Sequence, residues 1–268
     1  METIATRIAA VRERIAATAR RASRPVEEIT LIGVTKTHPP EVVARALTDG
    51  LTEFGENRVQ EAEAKIAALA VDRARVTWHL IGHLQRNKAR KAAALFDLVH
   101  SLDSVRLAET LNRAVGETRG PGDQGTKGPD SETRSASSED LLVSRLPVLI
   151  QVNVSGEASK EGFALAGWET RRPILDTFLA EVEGLLALPH LRVRGLMTIA
   201  PWGADPEASR PTFRSACRLR EVLARRFPQS DWAALSMGMT DDFEVAIEEG
   251  ATLVRVGRAI FGARGEQG

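Results

Sequence analysis

Along this chain, short runs that are apolar at almost every position alternate with longer runs in which apolar residues recur every three or four positions. EITLIGVTK (28–36) predicts a buried strand and PEVVARALTDG (40–50) a helix stopped by Gly50. LTEFGEN predicts strand and loop, and RVQEAEAKIAALA (58–70) the next helix. VTWHLIG (76–82) precedes helical RNKARKAAALF, DLVHSLD precedes helical SVRLAETLNRAV, and LPVLIQVNV precedes a loop and a helix around RRPILDTFLAEVEGLLAL. LRVRGLMTI with a helix over 208–227, AALSMGM with helix DDFEVAIEEG, and TLVRVGRAIFG complete eight strands. Parallel strands need helical crossovers and are buried on both faces, so the pattern predicts an α/β fold, a (β/α)8 TIM barrel. The alternative is an open doubly wound sheet, but no G-x-G-x-x-G follows the first strand.

The 268 residues suit one such barrel, which commonly takes about 250. A single domain over 1–268 is therefore expected. Residues 116–141, GETRGPGDQGTKGPDSETRSASSEDL, break the pattern: they are rich in Gly, Pro, Ser and charge. Such a segment buries too little apolar surface to offset its ordering entropy, which predicts a disordered insertion between the fourth helix and the fifth strand. The opening METIATRIAAVRERIAATARRA contains Glu2 and Glu13 and lacks a continuous apolar core, so it predicts an amphipathic helix rather than a secretory leader.

Composition narrows the chemistry. Lys plus Arg and Asp plus Glu both number 36, so no net field draws the chain to nucleic acid or an anionic membrane. No apolar run approaches the roughly 18 residues that span a bilayer. The one cysteine, Cys217, makes no intrachain disulfide and reads as a small core residue, which points to a reducing cytoplasm. Only six of the 36 cationic residues are lysines.

Of these, Lys65 lies in a helix rich in charge, Lys88 and Lys91 in RNKARK, Lys127 in the insertion and Lys160 in the loop SGEASKEG, whereas Lys36 ends an apolar strand. In a barrel that end faces the active-site mouth. A partly desolvated amine there has its neutral form favoured, as attack on an aldehyde requires; a surface lysine capping a strand is the plain alternative. Ser236, Gly238, Met239 and Thr240 follow the seventh strand, and Gly257 and Arg258 the eighth. Loops at these two places commonly hold phosphate, with glycines letting N–H groups approach, Thr240 adding a hydroxyl, and a helix starting near Asp241 or at Arg258 pointing its positive end inward. A strand-end lysine opposite two such loops suggests a phosphorylated aldehyde cofactor.

LIGVTK, FGENRVQE (54–61), WHLIGHLQRNK (78–88), HSLDS (100–104), VNVSGEASKEGF (152–163), VRGLMTI (193–199), LSMGMTDDFEVAI (235–247) and VRVGRAIFGAR (254–264) together resemble the YggS/PROSC family of pyridoxal phosphate (PLP) homeostasis proteins. The matches are collinear over nearly the whole chain outside 116–141. The resemblance implies a barrel of the alanine racemase N-terminal-domain type, PLP as a Schiff base on Lys36, phosphate held by Thr240, Gly257 and Arg258, and Arg255 beside the pyridine nitrogen. It also implies that Asn57, Met197 and Ser236 line the pocket. Two departures stand out: Arg258 replaces a small hydroxyl residue, and His83 a proline.

No metal is expected, since His79 and His83 flank Gly82 with no Cys, Asp or Glu at ligand spacing. RNKARK reads as a solvated helix face, and Trp78 as core. Three functions compete: a PLP carrier or reservoir serving apo PLP-dependent enzymes, a PLP-dependent amino-acid racemase, and a nucleic-acid or protein-binding adaptor. The resembling two-base racemases pair the cofactor lysine with a tyrosine and carry a further β-rich domain, whereas this sequence has no Tyr and ends after its eighth strand unit. A guanidinium beside the pyridine nitrogen weakens PLP as an electron sink, which agrees with a carrier but does not decide, since racemases with similar barrels share that feature. The carrier without committed turnover is the expected function.

Overall fold

The computed structural model describes residues 3–69, 75–119, 145–203 and 205–262. Thr3 caps the first helix, α1 (Ile4–Arg21), by accepting the Thr6 N–H at 3.2 Å, and Ile8, Val11, Ile15 and Ala19 form its buried stripe. Strands and helices then alternate as β1 (Thr30–Val34), α2 (Pro40–Thr48), β2 (Glu53–Glu56), α3 (Val59–Leu69), β3 (Thr77–Leu80), α4 (Ala89–Leu95), β4 (Leu98–Leu102) and α5 (Val105–Arg119). The second half comprises β5 (Leu146–Asn153), β6 (Phe163–Ala164), α6 (Arg172–Leu186), β7 (Leu191–Met197), α7 (Arg210–Arg226), β8 (Ala234–Ser236), α8 (Phe243–Glu248), β9 (Leu253–Val256) and α9 (Arg258–Phe261).

The strands pair in the order β4-β3-β2-β1-β9-β8-β7-β5, and a β4–β5 pairing closes the ring into an eight-stranded parallel barrel. Closure removes both sheet edges, as expected for a TIM barrel. The two-residue β6 was not expected; it pairs with β5 through Val152–Phe163 and Asn153–Ala164.

Side chains alternate across each strand. One set joins the helices in the main core, where Phe54 and Trp78 sit with ring centroids 5.6 Å apart. The other set enters the barrel, where Ile32, Leu149, Met197 and Leu253 meet in a separate small cluster. Cys217 packs against the main core but is only half buried.

The expected insertion needs a later start. α5 continues to Arg119, so residues 116–119 belong to a helix. Gly116 lies against the His190 ring, where a Cβ would come within 2.8 Å of Nε2, and the Thr118 hydroxyl donates to the Ala114 carbonyl at 2.8 Å. Tertiary contact thus prolongs a helix where composition alone reads as loop. Residues 120–141 lie outside the described residues.

Candidate functional site

Five neighbouring strands, β2, β1, β9, β8 and β7, carry the expected residues to one half of the barrel mouth. Register explains the convergence: Val34 pairs with Gly55, Gly33 with Val256, and Met197 with Ser236. Lys36 therefore emerges two residues beyond β1 between Asn57, just past β2, and Gly257, just past β9.

Lys36 is half buried in a turn that the His38 N–H closes onto the Thr35 carbonyl at 3.0 Å. Thr37 next to it has φ 67°, an uncommon conformation for a β-branched residue, so this turn carries strain where the amine is presented. The turn is held from below by a group the sequence reading set aside. Lys65 is buried, and its Nζ donates to the Thr35 carbonyl and to Glu56 Oε1, the latter at 2.5 Å. Thr35 Oγ1 donates to the same carboxylate oxygen at 2.6 Å. Val59, Ala62 and Lys65 recur at three-residue spacing on the buried face of α3, which is the signal that the helix's charge obscured. Burial raises the Glu56 carboxyl above its ordinary range although Lys65 and Thr35 act against it.

Asn57 lies against the loop after β3, where a Cβ on Gly82 would fall 2.4 Å from the Asn57 carbonyl oxygen. Only glycine allows that approach. His79 and His83, on either side of Gly82 in the sequence, belong to different places. His83 is at the rim, 2.9 Å from Asp103 Oδ2. Ligand-type atoms of His83, Asp103 and Glu161 lie within 4.8 Å of one another, a grouping from three loops that sequence spacing did not reveal. His79 instead points into a buried chain with His100, a residue given no role from sequence.

On the opposite side, Gly238 has φ 90° and its carbonyl accepts the Arg255 N–H at 3.0 Å. The Met239 N–H donates to Asp242 Oδ1 at 2.6 Å and Ser209 Oγ to Oδ2 at 3.0 Å, which shapes the loop holding Thr240. Burial pushes the Asp242 carboxyl up despite these bonds. The helices after these loops begin at Phe243 and Arg258. Thr240 is half buried. Arg258 is exposed, and its guanidinium pairs with Asp241, 2.6 Å from Oδ1.

Arg255 is 4% exposed, and its Nη1 donates to Ser236 Oγ at 2.6 Å and its Nη2 to the Thr198 carbonyl at 3.1 Å. Desolvation pulls the guanidinium down to about 10, with Asp242 opposing, so it stays protonated at neutral pH. Both partners are neutral acceptors. A buried cation so held can take an electron-rich ligand atom.

Residues 7–265 match the family model for the alanine racemase N-terminal domain. The chain belongs to that family. Within it, this family member is similar to the pyridoxal phosphate homeostasis protein of Pseudomonas aeruginosa, at 41% identity over 264 residues, 98% of this chain and 97% of that one. It also resembles PipY of Synechococcus elongatus PCC7942 in a structure with PLP bound, at 35% identity and TM-score 0.73, covering 97% of this chain and all of that one. A Clostridium difficile alanine racemase shares the fold alone: 12% identity, TM-score 0.60, and 96% of this chain on 57% of that one. Among the described residues no helix is long and apolar enough to cross a membrane.

Proposed function

We propose that this protein binds pyridoxal phosphate at the barrel mouth and serves PLP homeostasis as a cytoplasmic carrier or reservoir. The observation that carries this reading is the meeting of Lys36, buried Arg255 and the two glycine-bearing loops on five adjacent strands, in a chain 35% identical to PipY, which has been solved with PLP bound. Curated relatives named pyridoxal phosphate homeostasis protein support the role.

The residues fit the cofactor. Lys36 supplies the amine for reversible covalent attachment, and the cofactor when bound supplies an aldehyde that condenses with amines. The Thr240 hydroxyl and the N–H groups of Gly257 and Arg258, at the start of a helix where no intrahelical acceptor exists, hold the phosphate. Arg255 is the donor to the ring nitrogen, and Asn57, Met197, Ser236 and Gly238 form the walls. A donor that stays charged at neutral pH disfavours a protonated ring nitrogen there, which agrees with storage. The racemase alternative has no tyrosine to use as a second base, since the sequence contains none. Apo PLP-dependent enzymes are the proposed recipients.

The test is borohydride reduction of protein incubated with PLP, followed by peptide mass analysis. The cofactor mass should appear on the peptide containing Lys36, with no racemisation of amino acids above background. Labelling of Lys160 in its place would overturn the site assignment, and steady turnover would refute the carrier reading.

Phosphate anchoring can be resolved by titration. Thr240→Val removes a hydroxyl at similar volume and should raise the PLP dissociation constant about threefold to tenfold. Arg258→Ala should change it less than about threefold, because an exposed guanidinium held by Asp241 contributes little and its backbone N–H survives. Two silent substitutions would place the phosphate elsewhere.

A further inference from the structure

A row of buried polar groups crosses the barrel interior from floor to mouth. Glu53, first residue of β2, places Oε2 2.6 Å from His79 Nε2. His79 Nδ1 lies 2.9 Å from His100 Nε2, and His100 Nδ1 lies 2.9 Å from Ser236 Oγ. Arg255 Nη1 closes the row by donating to Ser236 Oγ at 2.6 Å. His79, His100, Ser236 and Arg255 are each less than 5% exposed, whereas the Glu53 side chain is 27% exposed at the floor.

The chemistry of the two ends is met by one uninterrupted direction of donation between them. A guanidinium only donates and a carboxylate only accepts. Ser236, accepting from Arg255, passes its own proton to His100 Nδ1; His100 donates from Nε2 to His79 Nδ1; and His79 donates from Nε2 to Glu53. Every donor then points the same way, and every position in the row is satisfied. In that arrangement both rings carry the hydrogen on Nε2. The burial of His100, with His79 and Arg255 beside it, also holds it well below the ordinary histidine value.

We propose that Glu53, His79 and His100 are positioning residues for Arg255, forming a one-way hydrogen-bond chain that locks its guanidinium in the orientation used at the cofactor ring. This rests on the reading that PLP occupies the barrel mouth. The chain accounts for three polar groups inside the barrel that packing alone would fill with aliphatic side chains, as Ile32, Leu149, Met197 and Leu253 do beside them. Ser236 is fixed from both sides, so Arg255 Nη1 has one acceptor in one place, and the Thr198 carbonyl fixes Nη2. Loss of a middle member leaves a buried donor and a buried acceptor unpaired and releases the Ser236 hydroxyl to rotate.

Histidine ring nitrogens report the chain directly. Two-dimensional ¹H–¹⁵N spectra of the cofactor-free protein at neutral pH should show His79 and His100 donating from Nε2 and accepting at Nδ1. His100→Leu should weaken PLP binding about tenfold and shift the visible absorbance of the bound cofactor, while borohydride still labels Lys36. Glu53→Gln, whose amide oxygen still accepts from His79, should retain most of the wild-type affinity and spectrum, whereas Glu53→Leu should move both in the direction of His100→Leu. If His100→Leu does not fold, Glu53→Leu at the half-open floor carries the comparison. An Nδ1-protonated or charged His100 in the wild type overturns the proposal. So does an unchanged spectrum and affinity in the variants. Failure of the wild type to be labelled at Lys36 would instead remove the PLP reading while leaving the ring tautomers to stand or fall on the spectra.

Discussion

Lys36→Ala abolishes the borohydride-dependent gain of cofactor mass, and the thermal midpoint stays within a few degrees of wild type. The loss is complete because Lys36 is the attachment point proposed above. Lys65 is committed to Glu56 and the Thr35 carbonyl, Lys91 to Glu63, and Lys160 lies 3.8 Å from Glu157 in the loop after β5. The fold survives because the side chain of a half-buried residue beyond the end of β1 contributes little to the core. Residual binding persists through the phosphate loops and Arg255, so PLP should still quench intrinsic fluorescence, at weaker affinity and without the covalent link. Intact-mass spectrometry after reduction, beside a melting curve, checks both halves. A retained mass gain would move the attachment point off β1 and with it the reading of the mouth.

Lys65→Met destabilises the protein by about 3–5 kcal/mol, the scale at which removing one partner strands a buried charge. Glu56 is fully buried, its Oε1 is shared by Lys65 and Thr35, and its Oε2 has no hydrogen-bond partner among the described residues. The loss depends on pH. Burial, the largest influence on Glu56, already raises its folded-state pKa, and Lys65 is the chief opposing influence. Without Lys65 the folded pKa rises further above the unfolded value, so between those two values the native state binds the extra proton. Stability then falls with rising pH through that window. The variant should therefore lie nearest wild type below the ordinary carboxylate range and diverge from it toward neutrality. Denaturant unfolding at pH 5 and pH 8 measures this. The double change Glu56→Leu with Lys65→Met should recover part of the deficit, because it removes both charges together. A variant loss that is the same at both pH values would mean that Glu56 is not the group left stranded.

The sequence by itself determined the barrel. Runs such as TLIGV and LPVLIQVN are apolar at consecutive positions because a parallel strand inside a ring of helices is buried on both faces, and that requirement acts on local pattern. It also determined the place of Lys36, since a charged residue ending such a run can only stand at the strand's mouth. The two glycine-bearing loops proposed for the phosphate were visible in the sequence, and the family resemblance added proposed roles for Asn57, Met197 and Arg255. Even so, an element as short as β6 escaped, and α5 outran its expected end by four residues through contact with His190, 74 positions beyond Gly116.

Only the tertiary structure decided how the polar interior is wired. Glu53, His79, His100, Ser236 and Arg255 are separated by up to 136 residues between hydrogen-bonded neighbours, and nothing local relates them. Barrel closure brings β2, β3, β4, β8 and β9 around one interior, where alternate side chains meet at hydrogen-bonding distance. Lys65 shows the same division: its helical spacing was visible, but which face of α3 would be covered, and that Glu56 would wait there, depended on packing. Periodicity reports that a position is buried, because hydrophobic burial is non-directional and leaves its mark residue by residue. Hydrogen bonds are directional and need a partner in place, so their assignment waits for the fold that supplies it.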